Sequence, residues 1–208
     1  GMIFLLRAWR LEVMDGAGYA EESEENRLRH AVVFAERGIL YDRRGEVLAW
    51  NATGTEAFAG RRYTARRGLA HLLGFVSYPG RDAAGFFYRE DFVGEAGVEA
   101  AFNRDLTGQN GRRIVEANAL GAVVSSSIFS DSKDGAFVRL SVDAALQEKL
   151  YETIAATAAA YGFAGGAGVL MDSRSGEVLA LTSFPEYSSE ALTNDRSTTT
   201  VELYRSDP

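Results

Sequence analysis

Between residues 37 and 51 apolar positions flank one short polar break, in the sequence RGILYDRRGEVLAWN. Ile39, Leu40 and Tyr41 predict a strand, Asp42-Arg43-Arg44-Gly45 a tight turn whose glycine can take positive φ, and Val47, Leu48 and Trp50 the return strand. A near copy, VLMDSRSGEVLALTSFP, occupies residues 169–185. Asp172 and Gly176 stand in its turn, and Glu177-Val178-Leu179-Ala180 repeats Glu46-Val47-Leu48-Ala49. Two similar hairpins so far apart predict two domains.

The pattern elsewhere mixes short helices with strands, an α+β chain. Residues 15–28 set Tyr19 among several glutamates and predict a short exposed helix capped by Asp15, followed by a strand over 30–35. A helix is predicted over 66–73, with Leu69, Leu72 and Leu73 on one face. Another is predicted over 97–106, where Val98, Ala101, Phe102 and Asp105 fall at helical spacing before Gly108 stops it. The aromatic-rich loop 77–92, with YPG and GFFY, is expected to fold on its own side chains; a partner-binding tip is the alternative. Strands are predicted over 114–129 and 136–142, joined by a turn at 131–135. The clearest helix is 143–161, with an apolar stripe of Leu146, Leu150, Ile154 and Tyr161 and a stop at Gly162. The strand 168–171 is almost wholly apolar, which predicts cover on both faces.

Composition narrows the function classes. In 208 residues, 46% hydrophobic and 11% aromatic content suffices for one large or two modest domains. A net charge of −7 argues against a nucleic-acid surface. Arg61, Arg62, Arg66 and Arg67 cluster, and are expected to form a solvated face or salt bridges to the many carboxylates, the alternative being a patch for anionic lipid or a partner. The lack of cysteine fits an exported protein without deciding it. No run approaches the roughly 20 apolar residues of a membrane helix. Gly1 before Met2 reads as the remnant of a removed tag, so an anchor is expected upstream.

Three motifs carry a resemblance. Arg37, Gly38, Asp42, Arg43, Gly45, Leu48 and Ala49 match R-G-x-x-x-D-R-x-G-x-x-L-A. Gly94, Gly97, Glu99, Phe102, Leu106 and Gly108 match G-x-x-G-x-E followed by an aromatic residue, L and G. Arg61, Tyr63, Ala70, His71, Leu72, Leu73 and Gly74 match R-x-Y-P-x-G followed by A-H-L-L-G, with Thr64 in place of the proline and Arg66 in place of the glycine. In this order the set resembles the non-catalytic domain of class B penicillin-binding proteins. Residues 11–27 resemble the stretch just outside the membrane anchor of these proteins, and 141–147, SVDAALQ, the start of their first transpeptidase helix. The resemblance thus implies a pedestal (dimerisation-type) domain of β-hairpins and short helices over 1–140. The first helix and hairpin of a transpeptidase domain would follow over 141–208. Relatives carry a longer insertion where this chain has only residues 52–60. The charged motif residues suggest a lock in which Arg37 or Arg43 bridges to Glu99 at a helix start.

The chemistry of such enzymes resides in S-x-x-K, S-x-N and K-T-G motifs. Ser130-Asp131-Ser132-Lys133 is the S-x-x-K string in this chain. Its acidic, glycine-containing surroundings predict a solvated turn rather than a buried helix N-terminus, and it precedes the second hairpin whereas the family motif follows it. No catalytic residue is therefore expected here. His30 and His71 are expected to be structural; a histidine–cysteine zinc site is disfavoured, a carboxylate-rich one stays open, and no cofactor is expected. Gly165-Gly166-Ala167-Gly168 is read as a helix-to-strand connection, not a phosphate loop.

The resemblance implies that the parent is a serine D,D-transpeptidase of peptidoglycan cross-linking that binds stem peptides and β-lactams. It would be membrane-anchored on the extracytoplasmic side and dock division or elongation proteins. The alternative is a complete, non-enzymatic envelope scaffold built on the pedestal fold. Apolar strands at 169–171 and 178–181 that lack neighbours would also lead to self-association.

Overall fold

The computed structural model describes residues 28–53, 57–83, 85–117 and 123–195. The helix expected over 15–28, apart from Leu28, which opens a strand, and the juxtamembrane resemblance at 11–27 lie outside the described residues. Contacts divide the chain into two units: one holds 1–33 and 111–132, the other 34–110 and 133–208.

The first unit is a three-stranded antiparallel sheet in the order β1 (Leu28–Val33), β9 (Gly111–Ala117), β10 (Val123–Ser130). His30 faces Ile114, and Val115 faces Ser126. The single strand expected over 114–129 is thus two strands paired with each other.

The second unit is built on a four-stranded sheet. The first hairpin supplies β2 (Leu40–Tyr41) and β3 (Val47–Ala52), with β4 (Gly60–Tyr63) antiparallel beside β3 and β11 (Val138–Arg139) parallel beside β2. Gly45 takes φ +89° in the turn, which a side chain would resist. Three helical pieces pack nearby: α1 (Ala70–Leu73), α2 (Gly97–Ala101) and α3 (Asn103–Thr107). Leu40, Leu48, Ala49, Tyr63, Leu69, Leu73, Val98 and Leu106 form the core together with Val142 and Ala144.

Two helices differ from the sequence expectation. The segment 66–73 is helical only from Ala70, because Gly68 has φ +82° and its Cα lies where a Cβ would sit 2.6 Å from Tyr151 Cβ. The segment 97–106 breaks at Phe102, whose ring is exposed while Leu106 is buried. Asn103 explains the break: its Oδ1 accepts from Gly94 N at 2.8 Å, and its carbonyl accepts from Thr107 Oγ1 at 2.7 Å.

The loop 77–92 contains two short pairings. β5 (Val76–Ser77) pairs with β8 (Val93–Gly94), and β6 (Gly80–Arg81) with β7 (Phe87–Arg89). Tyr78 and Phe92 meet edge-on within the loop, and Phe87 and Phe92 also pack edge-on against Phe58 from outside it, while Phe86 and Tyr88 are exposed.

Asp143 caps α4 (Ala144–Tyr161), accepting from Ala145 N and Leu146 N, and Gly162 ends it in the left-handed region. The buried positions are Ala144, Gln147, Tyr151 and Ala158, one step round the helix from the expected stripe; Leu146 and Tyr161 are exposed. The second hairpin follows as β12 (Gly166–Met171) and β13 (Val178–Phe184), and α5 (Ser189–Asn194) lies beyond it. Leu150 and Ile154 of α4 lie over Gly168 on one face of this ribbon. The opposite face is open: Val169 is 54% exposed, Met171 60% and Leu181 43%, against the expectation of cover on both faces.

Candidate functional site

Glu99 is fully buried in the first turn of α2, and two arginines from different strands and loops meet it. Arg37 Nε donates to Oε2 at 2.7 Å, and Arg61 Nε to Oε1 at 2.8 Å. Both guanidiniums are as buried as the carboxylate. Arg37 also donates to the Glu99 carbonyl at 3.0 Å and to Thr107 Oγ1 at 2.9 Å. Asn51 closes the ring: its Nδ2 donates to the Arg37 carbonyl at 2.6 Å and its Oδ1 accepts from Arg61 Nη1 at 3.1 Å. The lock anticipated for Arg37 therefore forms. Arg43 does not share in it; its guanidinium reaches Glu177 on the second hairpin at 3.4 Å in the open. Charge spacing alone could not tell which arginine turns inward.

The electrostatics follow from burial. Desolvation pulls the Arg37 guanidinium below its usual range, and the Glu99 carboxylate partly offsets this. Burial, with the Glu99 charge nearby, pushes the Tyr63 phenol up, so the ring stays neutral with its hydroxyl 3.5 Å from Glu99 Oε1. One carboxylate between two guanidiniums gives strong charge-assisted bonds but offers no nucleophile or general acid–base pair. The arrangement is a clamp.

The remaining motif residues serve the same clamp and the turn beside it. A Cβ at Gly38 would lie 1.9 Å from the Ala136 carbonyl oxygen, and one at Gly94 would lie 1.9 Å from that of Glu99. Gly97 opens α2 and Gly108 follows α3. Asp42 Oδ1 accepts from Arg44 N at 2.7 Å and Glu46 N at 2.8 Å, while Oδ2 accepts from Ala144 N at 3.2 Å. The hairpin turn thus holds the start of α4, a link that the sequence did not reveal.

Burial raises the Asp42 pKa, but hydrogen bonds from the amides of Glu46, Ala144, Arg44 and Gly45 outweigh it and hold the carboxyl below its usual value of 3.8. A folded pKa below the unfolded one stabilises the fold above the unfolded pKa, and this contribution is lost as pH falls through the folded value. Calorimetry between pH 7 and pH 3 should show the melting temperature of the wild-type chain falling below about pH 4. Asp42→Asn should cost about 1–2 kcal/mol at neutral pH and flatten this acid limb; an unchanged acid limb would refute the role.

The arginine cluster is dispersed by carboxylates rather than gathered into a patch. Arg62 pairs with Glu190, Arg66 with Glu46 and Glu148, and the Arg67 guanidinium lies 5.1 Å over the Tyr151 ring. Glu186 accepts from Gly68 N at 2.7 Å and Ala70 N at 3.2 Å. Gln147, also unforeseen, donates to the carbonyls of Gly68 at 2.6 Å and Leu181 at 2.5 Å and accepts from Leu181 N at 2.7 Å. Its phase with Ala144 and Tyr151 was the available signal.

Ser130 is exposed at the end of β10, where its Oγ accepts from Arg112 N at 3.0 Å; no helix begins there. His30 is exposed on β1, and His71 lies edge-on to Tyr187 with Nδ1 3.1 Å from Ser183 Oγ. Among the described residues no group of three or more His, Cys, Asp or Glu is placed to hold a metal ion, and no helix is long and apolar enough to cross a membrane.

Comparison with known proteins matches residues 55–140 to the penicillin-binding protein dimerisation domain. The chain is 31% identical, over 74% of its length, to the probable peptidoglycan D,D-transpeptidase PbpC of Pseudomonas aeruginosa, covering 26% of that protein. It is 34% identical, over 61% of its length, to the peptidoglycan D,D-transpeptidase FtsI of Escherichia coli K12, covering 20% of it. The chain therefore spans about a quarter or less of these curated relatives. In fold it is similar to a chain of a solved peptidoglycan synthase complex, with TM-score 0.66 and 24% identity over 99% of this chain and 48% of that one. Penicillin binding protein 2X of Streptococcus thermophilus shares the fold at TM-score 0.62 and 18% identity, over 82% of this chain and 37% of that one.

Proposed function

We propose, since this chain belongs to the penicillin-binding protein family, that it is the non-catalytic pedestal and the opening segment of the transpeptidase domain of a class B member. Residues 1–140 form the pedestal, and 141–208 begin the transpeptidase domain. The observation that carries this reading is the Arg37–Glu99–Arg61 clamp, in which residues of all three family motifs meet in one buried cluster. Its role is to fix the pedestal's shape. The parent attacks the D-Ala-D-Ala amide bond of a peptidoglycan stem peptide with a serine, releases the terminal D-Ala to leave an acyl-enzyme, and passes the acyl group to an amine of a neighbouring strand, which frees the serine. β-Lactams acylate that serine. The parent works at the outer side of the cytoplasmic membrane, held by an N-terminal membrane helix, and docks with division or elongation proteins. This chain is the rigid, non-catalytic part of that assembly.

Intact-protein mass after incubation with a fluorescent penicillin tests the assignment of catalysis. The chain itself should remain unmodified, while the full-length parent should take one adduct. A stoichiometric adduct on this chain, abolished by Ser130→Ala, would place the acylated serine on β10 and overturn the reading.

A further inference from the structure

We propose that the open face of the first hairpin is a docking groove for a segment of a partner protein in which a lysine or arginine adjoins large apolar side chains. Leu40, Leu48 and Ala49 turn into the core, so by strand alternation Ile39 and Tyr41 lie on the other face of the sheet. There Ile39, Val47 and the half-buried Trp50 line an open groove of about 700 Å³ together with Glu36 and Glu46. That volume falls within the roughly 300–1,000 Å³ of ligand-holding clefts, which are mostly apolar with a few placed polar groups. Val47 is 38% exposed, and Tyr41 carries the apolar surface on to Phe137, which meets it edge-on and is 69% exposed. The groove is also rigidly backed. Asn51, part of its lining, bonds the Arg37 carbonyl and Arg61 in the buried clamp, so a ligand here meets a surface already held in shape.

The charges around the groove select its occupant. Two carboxylates and no cation line it. Glu36 is exposed, and its carboxylate has no partner among the described residues. Glu46 shares Arg66 with Glu148, two negative charges against one positive. The arginines of the hairpin turn are drawn elsewhere, Arg43 to Glu177 and Arg44 to Asp143 at 2.6 Å. The exposed Arg139, opposite Tyr41 in the pairing of β11 with β2, stands beyond the lining. An acidic segment or an anionic lipid would therefore meet like charge. A lysine or arginine instead pairs with Glu36, or lies over the Trp50 ring, while its apolar neighbour covers Val47. Burying that apolar group supplies the affinity, and the carboxylates supply the choice of partner.

The inference rests on the docking role proposed above and gives it a surface and a partner chemistry, but its test uses this chain alone and is independent of penicillin labelling. A phage-displayed library of random linear peptides, selected on the wild-type chain, should enrich sequences with Lys or Arg close to Trp, Phe or Leu. Synthesised, these peptides should shift the Trp50 indole N–H resonance, which is assigned by its loss in Trp50→Phe. Glu36→Lys and Val47→Glu, both at exposed positions, should each weaken peptide binding at least about tenfold while leaving the melting temperature unchanged. Glu36→Gln should weaken it less than Glu36→Lys, because it removes the attraction without adding repulsion. No enrichment, enriched peptides without basic residues, binding that both variants leave intact, or peptides that bind without moving Trp50 would each overturn the proposal. A Trp50 shift produced by phosphatidylglycerol vesicles and by no peptide would also overturn it, assigning the face to a membrane surface.

Discussion

Glu99→Ala should lower the melting temperature of the chain by roughly 10 °C. The carboxylate is the single anion between two buried guanidiniums, and both of its oxygens are engaged. Removing it leaves Arg37 and Arg61 without their counter-charge in a site closed to water, and breaking a buried pair in this way costs about 3–5 kcal/mol. In a chain of this size each kcal/mol corresponds to about 2–4 °C. Arg37→Ala or Arg61→Ala should cost less than Glu99→Ala, because each leaves the carboxylate with one guanidinium. Arg43→Ala supplies the contrast: its pair with Glu177 is half exposed and screened by solvent, so a change within about 1 kcal/mol is expected. Equal effects at Glu99 and Arg43, measured by thermal melts in the same buffer, would mean that the clamp contributes nothing special to stability.

Gln147→Leu is expected to produce the second large loss, about 2–4 kcal/mol, although it replaces a polar core residue with an apolar one of similar size. The side chain is fully buried and satisfies three backbone groups at once: the Gly68 carbonyl and both the N–H and the C=O of Leu181. Thr182 Oγ1 also donates to the Gly68 carbonyl, at 2.9 Å, so the two Leu181 groups suffer most. Hydrogen exchange should localise the damage, with protection falling in α4 and β13 and persisting in β3 and β4. A loss below about 1 kcal/mol would indicate that apolar packing alone holds α4 in place.

Both hairpins were legible in the sequence because their information is local. Asp42 and Asp172 each bond the amide two residues on, and Gly45 and Gly176 take positive φ. The capped helix α4 was equally clear, with Asp143 and Gly162 at its ends. Its rotation was not, because a glutamine counts as polar until its three backbone partners, supplied by distant segments, are known. Similarly, motif residues identified the members of the clamp, but not that Arg61 would join Arg37 while Arg43 faced outward. The apolar run of β12 promised two covered faces, yet only α4 covers it among the described residues; composition records that a strand can be buried, not what buries it. The break at Phe102 turned on one asparagine reaching across to Gly94.

The acid of the first turn has a further consequence, for where this protein can be divided. Asp42 holds Ala144, and Val142 and Ala144 complete the same apolar core as Leu40 and Leu48. Val76 N in turn reaches the buried Thr193 Oγ1 at 3.3 Å. A cut at residue 140 would strip Val142 and Ala144 from the core they share with Leu40 and Leu48, so the segments on either side of it could not be exchanged freely between relatives. During synthesis the early hairpin must wait for residues about a hundred positions later before its core can close, which favours slow, late consolidation over stepwise folding from the N-terminus.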